Sequence, residues 1–478
     1  MHLLRDLDFF SVVRFKLGCG ASEFGSRNAI LRIACFIFHN FTQIFPVRTI
    51  VHHFIADPAH FKSKLLYWGS TFREAVFLDS NDFPQRYGSY DAILAVDAFT
   101  LLQTDFAGAF DDLKQYQQNA KDWLFGYFSY DLKNDTEALC SRNTDGLEFP
   151  DLFFFQPKKL FLLKGNNLEM AYLNLCDDEL EADFEQIARF QIPATGQASQ
   201  INIQQRISET AYLSKVGQML GHIHRGDIYE ANFCMEFYAC EADINPVGTF
   251  AKLNAISVPP FAAFLKHDQH FLMSASPERY LRKQGVNVIS QPIKGTARRS
   301  ADPAEDQHIK QQLIASEKER SENIMIVDLV RNDLSRTATK GSVIVEELCG
   351  AYTFRQVHHL ISTIASQVDD QTSGIEIIKQ TFPMGSMTGA PKISAMQIIE
   401  NLEESKRGLY SGAVGYFTPD GDFDFNVVIR SILYNARNGY VSFSVGSAIT
   451  AASTPEDEYA ECLVKAAAMR QALQPDRL

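Results

Sequence analysis

The sequence predicts a large globular protein in which β-strands and α-helices are mixed along the chain. Its 478 residues, of which 46% are hydrophobic and 22% charged, are enough to bury a sizeable core. Apolar stretches with the alternating spacing of strands occur between stretches with the 3.6-residue spacing of helices. No internal repeat of the length found in solenoids is visible. The length favours two or three domains, or one unusually large domain.

The charge and the cysteines exclude several classes of protein. A net charge of −13 argues against a general nucleic-acid binder and against attachment to an anionic membrane surface. An anionic substrate would therefore need a local basic pocket or a metal ion. The eight cysteines are scattered and include no CxxC pair, which fits neither a zinc site nor a small disulfide scaffold. We expect reduced thiols and a cytoplasmic protein.

Residues 1–45 have a different composition from the remainder of the chain. Their apolar run near residues 30–45 is interrupted by Arg32, His39 and Asn40, so it is too short and too polar to span a bilayer. It also lies too far from the start for a signal peptide, and no small-residue cleavage site follows it. We interpret residues 1–45 as an accessory extension or a wrongly assigned start that contributes little to function.

Residues 46–190 form a first region of alternating elements. Apolar spacing and turn residues predict its helices and strands. The predicted helices cover residues 61–71, 109–123 and a segment ending at residue 190, and the predicted strands cover 75–80, 124–130, 153–155 and 160–163. Pro157 separates the last two predicted strands. Residues 191–206 are polar and poor in large apolar side chains, which predicts a linker.

Residues 207–478 form the second region, which begins with a helix whose start is marked by Ser208. The other predicted elements follow from the same spacing rules. Helices are predicted at 212–224, 307–330 and 392–401, a hairpin at 261–265 and 271–275, and strands at 228–234, 412–416, 425–434 and 440–447.

Lys294 lies at a strand-to-loop edge, between two residues that control the backbone. Pro292 removes a backbone donor, and Gly295 allows a sharp turn or a close approach to a ligand. A lysine in this place can be a solvated surface charge, a point charge for an anion or, if its pKa is lowered, a nucleophile. Taken alone, the surface charge is the commonest of these roles.

Two predicted helices each place carboxylates on one face. Glu319 and Glu322 are three residues apart, and Glu458, Glu461 and Lys465 are spaced by three and four residues. Mg²⁺ needs one or two protein carboxylates, with water and substrate oxygens completing its shell. Solvated helix charge is the alternative for either pair alone.

Two further features suit an anionic ligand. Residues 386–392 form a small-residue loop before a helix, and its free N–H groups could bind a carboxylate or simply cap the helix. Arg430 lies inside the strand predicted at 425–434, where a buried guanidinium needs an anionic partner. That partner could be a substrate or a structural carboxylate.

Nine short segments follow one another along the second region: GDIYEAN at 226–232, SPER at 276–279, QPIKGT at 291–296, ENIMIVDL at 322–329, RND at 331–333, FPMGSMTGAPK at 382–392, GAVGY at 412–416, IR at 429–430 and EYAEC at 458–462. In this order they resemble the chorismate-utilising enzymes, which include anthranilate, isochorismate and salicylate synthases and aminodeoxychorismate synthase component I. The resemblance is dense over about 208–475, looser from about 48, and does not include residues 1–45. It implies an α+β fold with two large, mainly antiparallel β-sheets packed face to face and surrounded by helices. Residues 207–478 would be the chorismate-binding catalytic domain, after an N-terminal region at 46–190.

Lys294 distinguishes the branches of the family. The anthranilate and isochorismate branches carry a small residue there, whereas the PIKGT segment resembles aminodeoxychorismate synthase component I. That resemblance implies an enzyme that transfers the glutamine amide nitrogen to chorismate, giving 4-amino-4-deoxychorismate for 4-aminobenzoate and folate synthesis. Lys294, with a lowered pKa, would add at C2 of chorismate and be displaced by ammonia, which would enter at C4.

The resemblance also implies roles for other residues. Glu278 would be the general acid for the departing C4 hydroxyl, and it should therefore have a raised pKa. Glu322 and Glu461 would be Mg²⁺ ligands, with Glu319 and Glu458 acting on the metal through water. Substrate binding would fall to Thr388, Gly389, Arg430, Lys465, His359 and Gly446.

The chain departs from the family pattern at two places in the pocket wall. Glu230 replaces the glutamine of most members, and the late Gly-Ala-Gly motif reads Gly446-Ser447-Ala448. Residues 78–80 resemble the tryptophan-binding segment of anthranilate synthases only loosely, so tryptophan feedback is not expected. No Gly-x-Cys-x-Gly glutaminase motif occurs, which implies a separate amidotransferase subunit. The alternatives are anthranilate or isochorismate/salicylate synthesis, and a catalytically silent chorismate-binding partner subunit.

Overall fold

The computed structural model describes residues 48–193, 201–355 and 357–474. In these ranges the chain forms 20 strands and 11 α-helices. The strands are β1 (Arg48–Phe54), β2 (Glu74–Asp79), β3 (Ala92–Thr104), β4 (Leu124–Phe128), β5 (Leu152–Lys164), β6 (Asn167–Leu173), β7 (Gln204–Gln205), β8 (Glu230–Ala239), β9 (Phe261–His267), β10 (His270–Ser276), β11 (Arg279–Gln284), β12 (Asn287–Gln291), β13 (Ile293–Arg298), β14 (Ile344–Thr353), β15 (Val357–Gln367), β16 (Gly389–Ala390), β17 (Ala413–Phe417), β18 (Phe423–Val427), β19 (Ser431–Asn435) and β20 (Tyr440–Thr450). The helices are α1 (Pro58–Gly69), α2 (Ala109–Ala120), α3 (Lys133–Thr136), α4 (Leu180–Arg189), α5 (Glu209–Arg225), α6 (Pro246–Ser257), α7 (Pro303–Ala315), α8 (Glu317–Ser335), α9 (Gly374–Thr381), α10 (Lys392–Leu402) and α11 (Pro455–Leu473). The interpretation of residues 1–45 lies outside the described residues.

The strands form two arms that share the long strand β5. The first arm runs β1–β6–β5–β3–β2–β9–β10–β19–β20–β8, with β7 and β16 beside β8. The second runs β5–β4–β17–β18–β11–β12–β15, where β13 also pairs with β15 and β14 covers its other edge. Each of these pairs is antiparallel, as the family resemblance predicted.

Alternating side chains give the first arm two apolar faces. Val76 and Leu272 lie in one hydrophobic cluster with Phe125, Val414 and Phe425 of the second arm, so the inner faces of the arms share a core. The neighbouring residues of β2 point the other way, into a cluster with residues of helices α1, α4, α5, α6 and α11. This period of two is the geometry of a strand buried on both faces. The predicted α+β fold is confirmed.

The two regions are joined through the sheet. Strand β2 pairs with β9, and β4 pairs with β17, so residues before and after the predicted linker share ladders. The described residues belong to one compact unit. The end of the predicted linker, at 204–205, is strand β7, and residues 194–200 lie outside the described ranges.

Two strands that were predicted separately are one strand in the structure. Strand β5 continues through Pro157, which corrects the predicted break. It pairs with β4 up to Phe155 and with β6 from Lys159, so the proline lies in the gap between the two partners, where its missing N–H costs no ladder bond. Arg48 donates to the Pro157 carbonyl at 2.6 Å in that gap.

Two single elements that were predicted are each broken in the structure. The helix predicted at 307–330 is α7 and α8, because Ser316 is an extended N-cap whose hydroxyl accepts from the Glu319 N–H. The serine and the glutamate form a capping-box sequence, a signal that the helical spacing concealed.

The strand predicted at 425–434 is two strands in the structure, β18 and β19. The prediction of Arg430 inside a strand is therefore wrong, since it lies between them with a left-handed φ of 52°.

Other local predictions agree with the structure. Ser208 is the N-cap of α5, and its hydroxyl accepts from the Ala211 N–H at 3.2 Å. The hairpin predicted at 261–275 is β9 and β10. The six described cysteines are free thiols.

Within the described ranges, the helices are too short or too polar to cross a membrane.

Candidate active site

A cavity is lined by residues of both arms and of helices α8 and α11. The structure brings together ten of the predicted site residues in its wall. They are Glu278, Lys294, Glu319, Glu322, His359, Arg430, Gly446, Glu458, Glu461 and Lys465. Residues more than 180 positions apart in sequence thus converge on one cavity.

Lys294 reaches the cavity from a β-bulge. Lys294 pairs with Leu360 and Thr296 with His359, so Gly295 is the extra residue between two ladder positions. Its φ of +86° and the 3.2 Å that would separate a Cβ from the Glu319 carboxylate both favour glycine. The bulge fixes the direction of the lysine side chain.

The Lys294 amine forms a buried ion pair with a residue that the sequence placed only in the pocket wall. Its Nζ lies 2.7 Å from Oε1 of Glu230, and the two side chains are 9% and 1% exposed. Burial acts to lower the pKa of Lys294, but the carboxylates of Glu230 and Glu322 outweigh burial, and the pKa is raised. The predicted lowered pKa is therefore wrong for the resting site.

Glu278 lies in the connection between β10 and β11 and is 4% exposed. Burial raises its pKa to about 7, while Ser386 and Lys294 act in the opposite direction. A carboxyl group with this pKa holds its proton for a substantial fraction of the time at neutral pH. The predicted raised pKa is confirmed.

Helices α8 and α11 place four carboxylates on the cavity wall: Glu319, Glu322, Glu458 and Glu461. Oε1 of Glu322 and Oε1 of Glu458 are buried without a hydrogen-bond partner, and Lys318 approaches the latter at 3.5 Å. No three described His, Cys, Asp or Glu side chains are close enough together to hold a metal ion by themselves. The unpartnered oxygen of Glu322 nevertheless suits Mg²⁺, which takes most of its ligands from water and substrate.

The electrostatics differ among these carboxylates. Burial raises the pKa of Glu322 to about 7, and burial with the nearby Glu461 raises that of Glu319. Burial also acts to raise the pKa of Glu461, but Lys465, at 2.7 Å, reverses the effect and lowers it. The Lys465 amine also donates to the Gly446 carbonyl at 2.8 Å.

Arg430 and His359 supply a cation and a neutral ring. Arg430 lines the cavity, and its guanidinium forms no hydrogen bond or ion pair with the described residues. Burial lowers its pKa, and Glu461 opposes the change. Burial and the nearby Arg430 lower the pKa of His359 to about 3, so the ring is neutral, with Nδ1 2.9 Å from the Thr296 hydroxyl. Of the two partners considered for Arg430, a ligand carboxylate fits better than a structural one.

Thr388 and Gly389 are not in the cavity wall. The Thr388 N–H donates to the Gly385 carbonyl at 3.1 Å, and its carbonyl accepts from Asn232 at 2.8 Å. Gly389 pairs with Ala231, and a Cβ there would lie 2.2 Å from the Glu230 carbonyl. This segment therefore supports β8, and its neighbours Ser386 and Met387 line the cavity instead.

Several cavity residues were missed by the sequence reasoning. They are Asn232, Lys318, Ser386, Met387 and Tyr410. Lys318 precedes Glu319 on a helix face already identified, so its position was a usable signal. The contact between Glu230 and Lys294 joins residues 64 positions apart and had no local signal.

Cations and carboxylates with shifted pKa values that line one cavity are typical of an enzyme that acts on a small anionic molecule. The comparison with known protein families shows which kind of enzyme this is. The chorismate binding enzyme family matches residues 73–471, and the chain belongs to that family.

The relatives of this chain are named for different enzyme activities. The chain is 34% identical over 355 residues to the anthranilate synthase component I-like protein of Synechocystis sp., covering 74% of this chain and 72% of that protein. It is also 34% identical over 352 residues to aminodeoxychorismate synthase component 1 of Escherichia coli, covering 71% and 74%. Anthranilate synthase component I of Streptococcus pneumoniae superposes with a TM-score of 0.71 at 25% identity, covering 81% of this chain and 94% of that one. Overall sequence identity therefore does not distinguish the anthranilate synthase reaction from the aminodeoxychorismate synthase reaction.

Proposed function

We propose that this chain is aminodeoxychorismate synthase component I, which makes 4-amino-4-deoxychorismate from chorismate and ammonia. The observation that carries the proposal is the amine of Lys294 in the cavity wall, opposite a carboxyl group whose pKa is about 7. A nucleophilic lysine gives the 4-amino product by two successive displacements, with retention at C4.

Each cavity group has a task in this reaction. Lys294 adds to C2 of chorismate, the double bonds shift, and the C4–O bond breaks as Glu278 protonates the departing hydroxyl to water. Ammonia then adds at C4, the double bonds shift back, and the C2–N bond to Lys294 breaks. Arg430 and Lys465 bind carboxylates of the substrate, His359 contacts the ring, and Gly446 leaves room in the wall.

Magnesium belongs to the proposal as a cofactor. Glu322 and Glu461 would hold it, with Glu319 and Glu458 acting through water, and the bound ion would supply positive charge for the ring carboxylate. The unpartnered Oε1 of Glu322 supports a cation at this place.

A separate subunit would supply the ammonia. The sequence contains no Gly-x-Cys-x-Gly nucleophile segment for glutamine hydrolysis. The curated relatives named component 1 include the Escherichia coli protein above. We therefore propose a glutamine amidotransferase as the partner and a cytoplasmic enzyme of folate synthesis.

Product analysis tests the proposed function. The full chain is incubated with chorismate, Mg²⁺ and ammonium salt, and the product is identified by mass and retention time. We expect 4-amino-4-deoxychorismate, and no product when glutamine replaces ammonium in the absence of a partner. A 2-amino or 2-hydroxy ring would assign the chain to the anthranilate or isochorismate reaction, and no turnover would indicate a silent subunit.

The raised pKa of Glu278 predicts a pH dependence. The general acid must be protonated, so kcat/KM for chorismate should fall as the pH rises through about 7. Glu278→Gln should lower kcat/KM by about 100- to 10,000-fold and remove that fall, because the amide does not titrate. The profile is measured at saturating Mg²⁺ and a constant concentration of unprotonated ammonia. An unchanged fall in the variant would assign the titration to another group.

A further inference from the structure

The ion pair between Glu230 and Lys294 raises a chemical problem for the site. Lys294 reacts through its nitrogen lone pair, which the ammonium form does not have. The carboxylates around the amine favour the ammonium form, and the resting pKa is raised. The proton must therefore leave Nζ before the reaction, and the cavity must contain an acceptor for it.

Glu230 is the acceptor that the geometry supplies. Among the described residues it is the only one with a carboxylate oxygen within 4.0 Å of the Lys294 amine, at 2.7 Å. It lies at the start of β8, where its backbone pairs with Ala390 and Thr450 on either side. Pairing on both edges holds its backbone, so the distance to the amine is set by the sheet.

The second oxygen of Glu230 has no partner. Oε2 is buried and forms no hydrogen bond with the described residues, and the side chain is 1% exposed. An ionised carboxylate with an unsatisfied oxygen in such a place is costly. Moving one proton from Lys294 to Glu230 removes both charges together, so the transfer needs no proton from bulk water.

The other charged groups near the amine are less suitable acceptors. Glu322 and Glu278 act on Lys294 through longer-range electrostatics, without direct contact. Glu278 must hold its own proton for the departing hydroxyl, and Glu322 faces the proposed cation. The remaining titratable and charged groups of the cavity wall are Lys318, Glu319, His359, Tyr410, Arg430, Glu458, Glu461 and Lys465.

We propose that Glu230 is the general base that takes the proton from Lys294 and so produces the nucleophilic amine. The inference rests on the proposed function, because it concerns how that nucleophile forms. It makes Glu230 a catalytic residue, since it touches the reacting nitrogen. A glutamine at this position could hydrogen-bond the lysine but could not accept its proton.

The steps balance without another reactant. Glu230 carboxylate and Lys294 ammonium become carboxylic acid and amine. The amine forms its bond to C2, the C4–O bond breaks, and Glu278 gives its proton to the leaving hydroxyl, which becomes water. Ammonia bonds to C4, and the C2–N bond electrons return to Lys294 as the free amine. Glu278 takes the surplus proton from the new C4 nitrogen, and Glu230 returns its proton to Lys294.

The test is the rate at which Lys294 forms the covalent adduct when ammonia is withheld. Full-length protein is mixed with saturating chorismate and Mg²⁺, stopped at intervals, and the adduct is quantified by intact-protein mass between about pH 5.5 and 7. We expect the wild-type rate to change by less than about threefold over this window. We expect Glu230→Gln to be about 100-fold slower at pH 6 and to accelerate about tenfold per pH unit, because its lysine must lose a proton to solvent.

Glu236→Gln is the matched control on the same strand. Glu236 is also a buried carboxylate, but it pairs with Arg206 and Tyr440 and does not line the cavity. We expect it to keep the wild-type pH profile. The melting temperature and chorismate affinity of each variant show whether it is folded and binds substrate.

The possible outcomes distinguish a failure of this inference from a failure of the proposed function on which it rests. If wild-type protein forms no adduct, the proposed covalent function fails first. If wild type forms the adduct and Glu230→Gln matches both its rate and its pH profile, Glu230 only positions the lysine and the inference is overturned. A faster Glu230→Gln would also overturn it, since the carboxylate would then only hold the lysine in its protonated form.

Discussion

Replacing Lys294 with alanine should lower the formation of 4-amino-4-deoxychorismate by about 1,000-fold or more, because the covalent route is lost. Glu278, Arg430 and Lys465 remain in place, so chorismate should still bind. Ammonia can then add only directly, and we expect a trace of 2-amino product. Rates are measured with ammonium salt as nitrogen source, and products are identified by mass and retention time.

The alanine variant also leaves Glu230 as an unpaired buried carboxylate. Breaking a buried pair costs about 3 kcal/mol or more, so a lower melting temperature is expected together with the loss of activity. Lys294→Arg avoids this ambiguity. Arginine keeps a cation beside Glu230, but its guanidinium does not lose its proton at the assay pH. We expect Lys294→Arg to be nearly as inactive as Lys294→Ala.

Two results would contradict the nucleophile assignment. Lys294→Ala could make the 4-amino product at the wild-type rate, or Lys294→Arg could retain full activity, which would make the lysine a point charge for an anion. Lys310→Ala, at a half-buried position on α7 outside the cavity, is the control for a lysine-to-alanine change and should keep wild-type rates. Digestion of the wild-type adduct should place the added mass on the peptide that contains Lys294.

Much of the fold could be predicted from the sequence because strand and helix spacing are local signals. The helix cap at Ser208 and the hairpin at β9 and β10 are examples. The failures occur where a distant partner decides the outcome. Pro157 is tolerated inside β5 because the strand changes partners there, from β4 to β6. The pairing with β4 joins Phe155 to Phe125, which is too distant in sequence to leave a pattern beside Pro157.

In the candidate site, too, some features have a signal in the local sequence and others are set by distant residues. Residue types in a recognised order identified ten members of the cavity wall, and the raised pKa of Glu278 followed from its implied task. The pKa of Lys294 could not be predicted in this way, because it depends on a side chain 64 positions away on another strand. Burial alone would have lowered the pKa of Lys294, whereas the ion pair with Glu230 helps to raise it. The left-handed backbone of Arg430 was likewise hidden by an apolar run that reads as one strand.

Replacing Glu322 with glutamine should raise the Mg²⁺ concentration for half-maximal activity by about tenfold or more. The change removes an anionic oxygen that has no protein partner and faces the cavity, while keeping the shape of the side chain. Glu461→Gln should act in the same direction, although Lys465 then loses its 2.7 Å partner as well. Activity is titrated with Mg²⁺, and the rise in melting temperature on adding Mg²⁺ gives a second readout that does not require turnover.

Glu317→Gln is the matched control for the metal prediction. Glu317 lies on the same helix, α8, but its side chain is exposed and outside the cavity wall. Loss of a surface charge changes long-range electrostatics only slightly at physiological salt, so its Mg²⁺ titration should overlay that of wild type. If Glu322→Gln and Glu461→Gln overlay it too, in both activity and melting temperature, these carboxylates do not hold the cation. An equal shift in all three variants would indicate general charge, and only a shift confined to the cavity pair supports a bound ion.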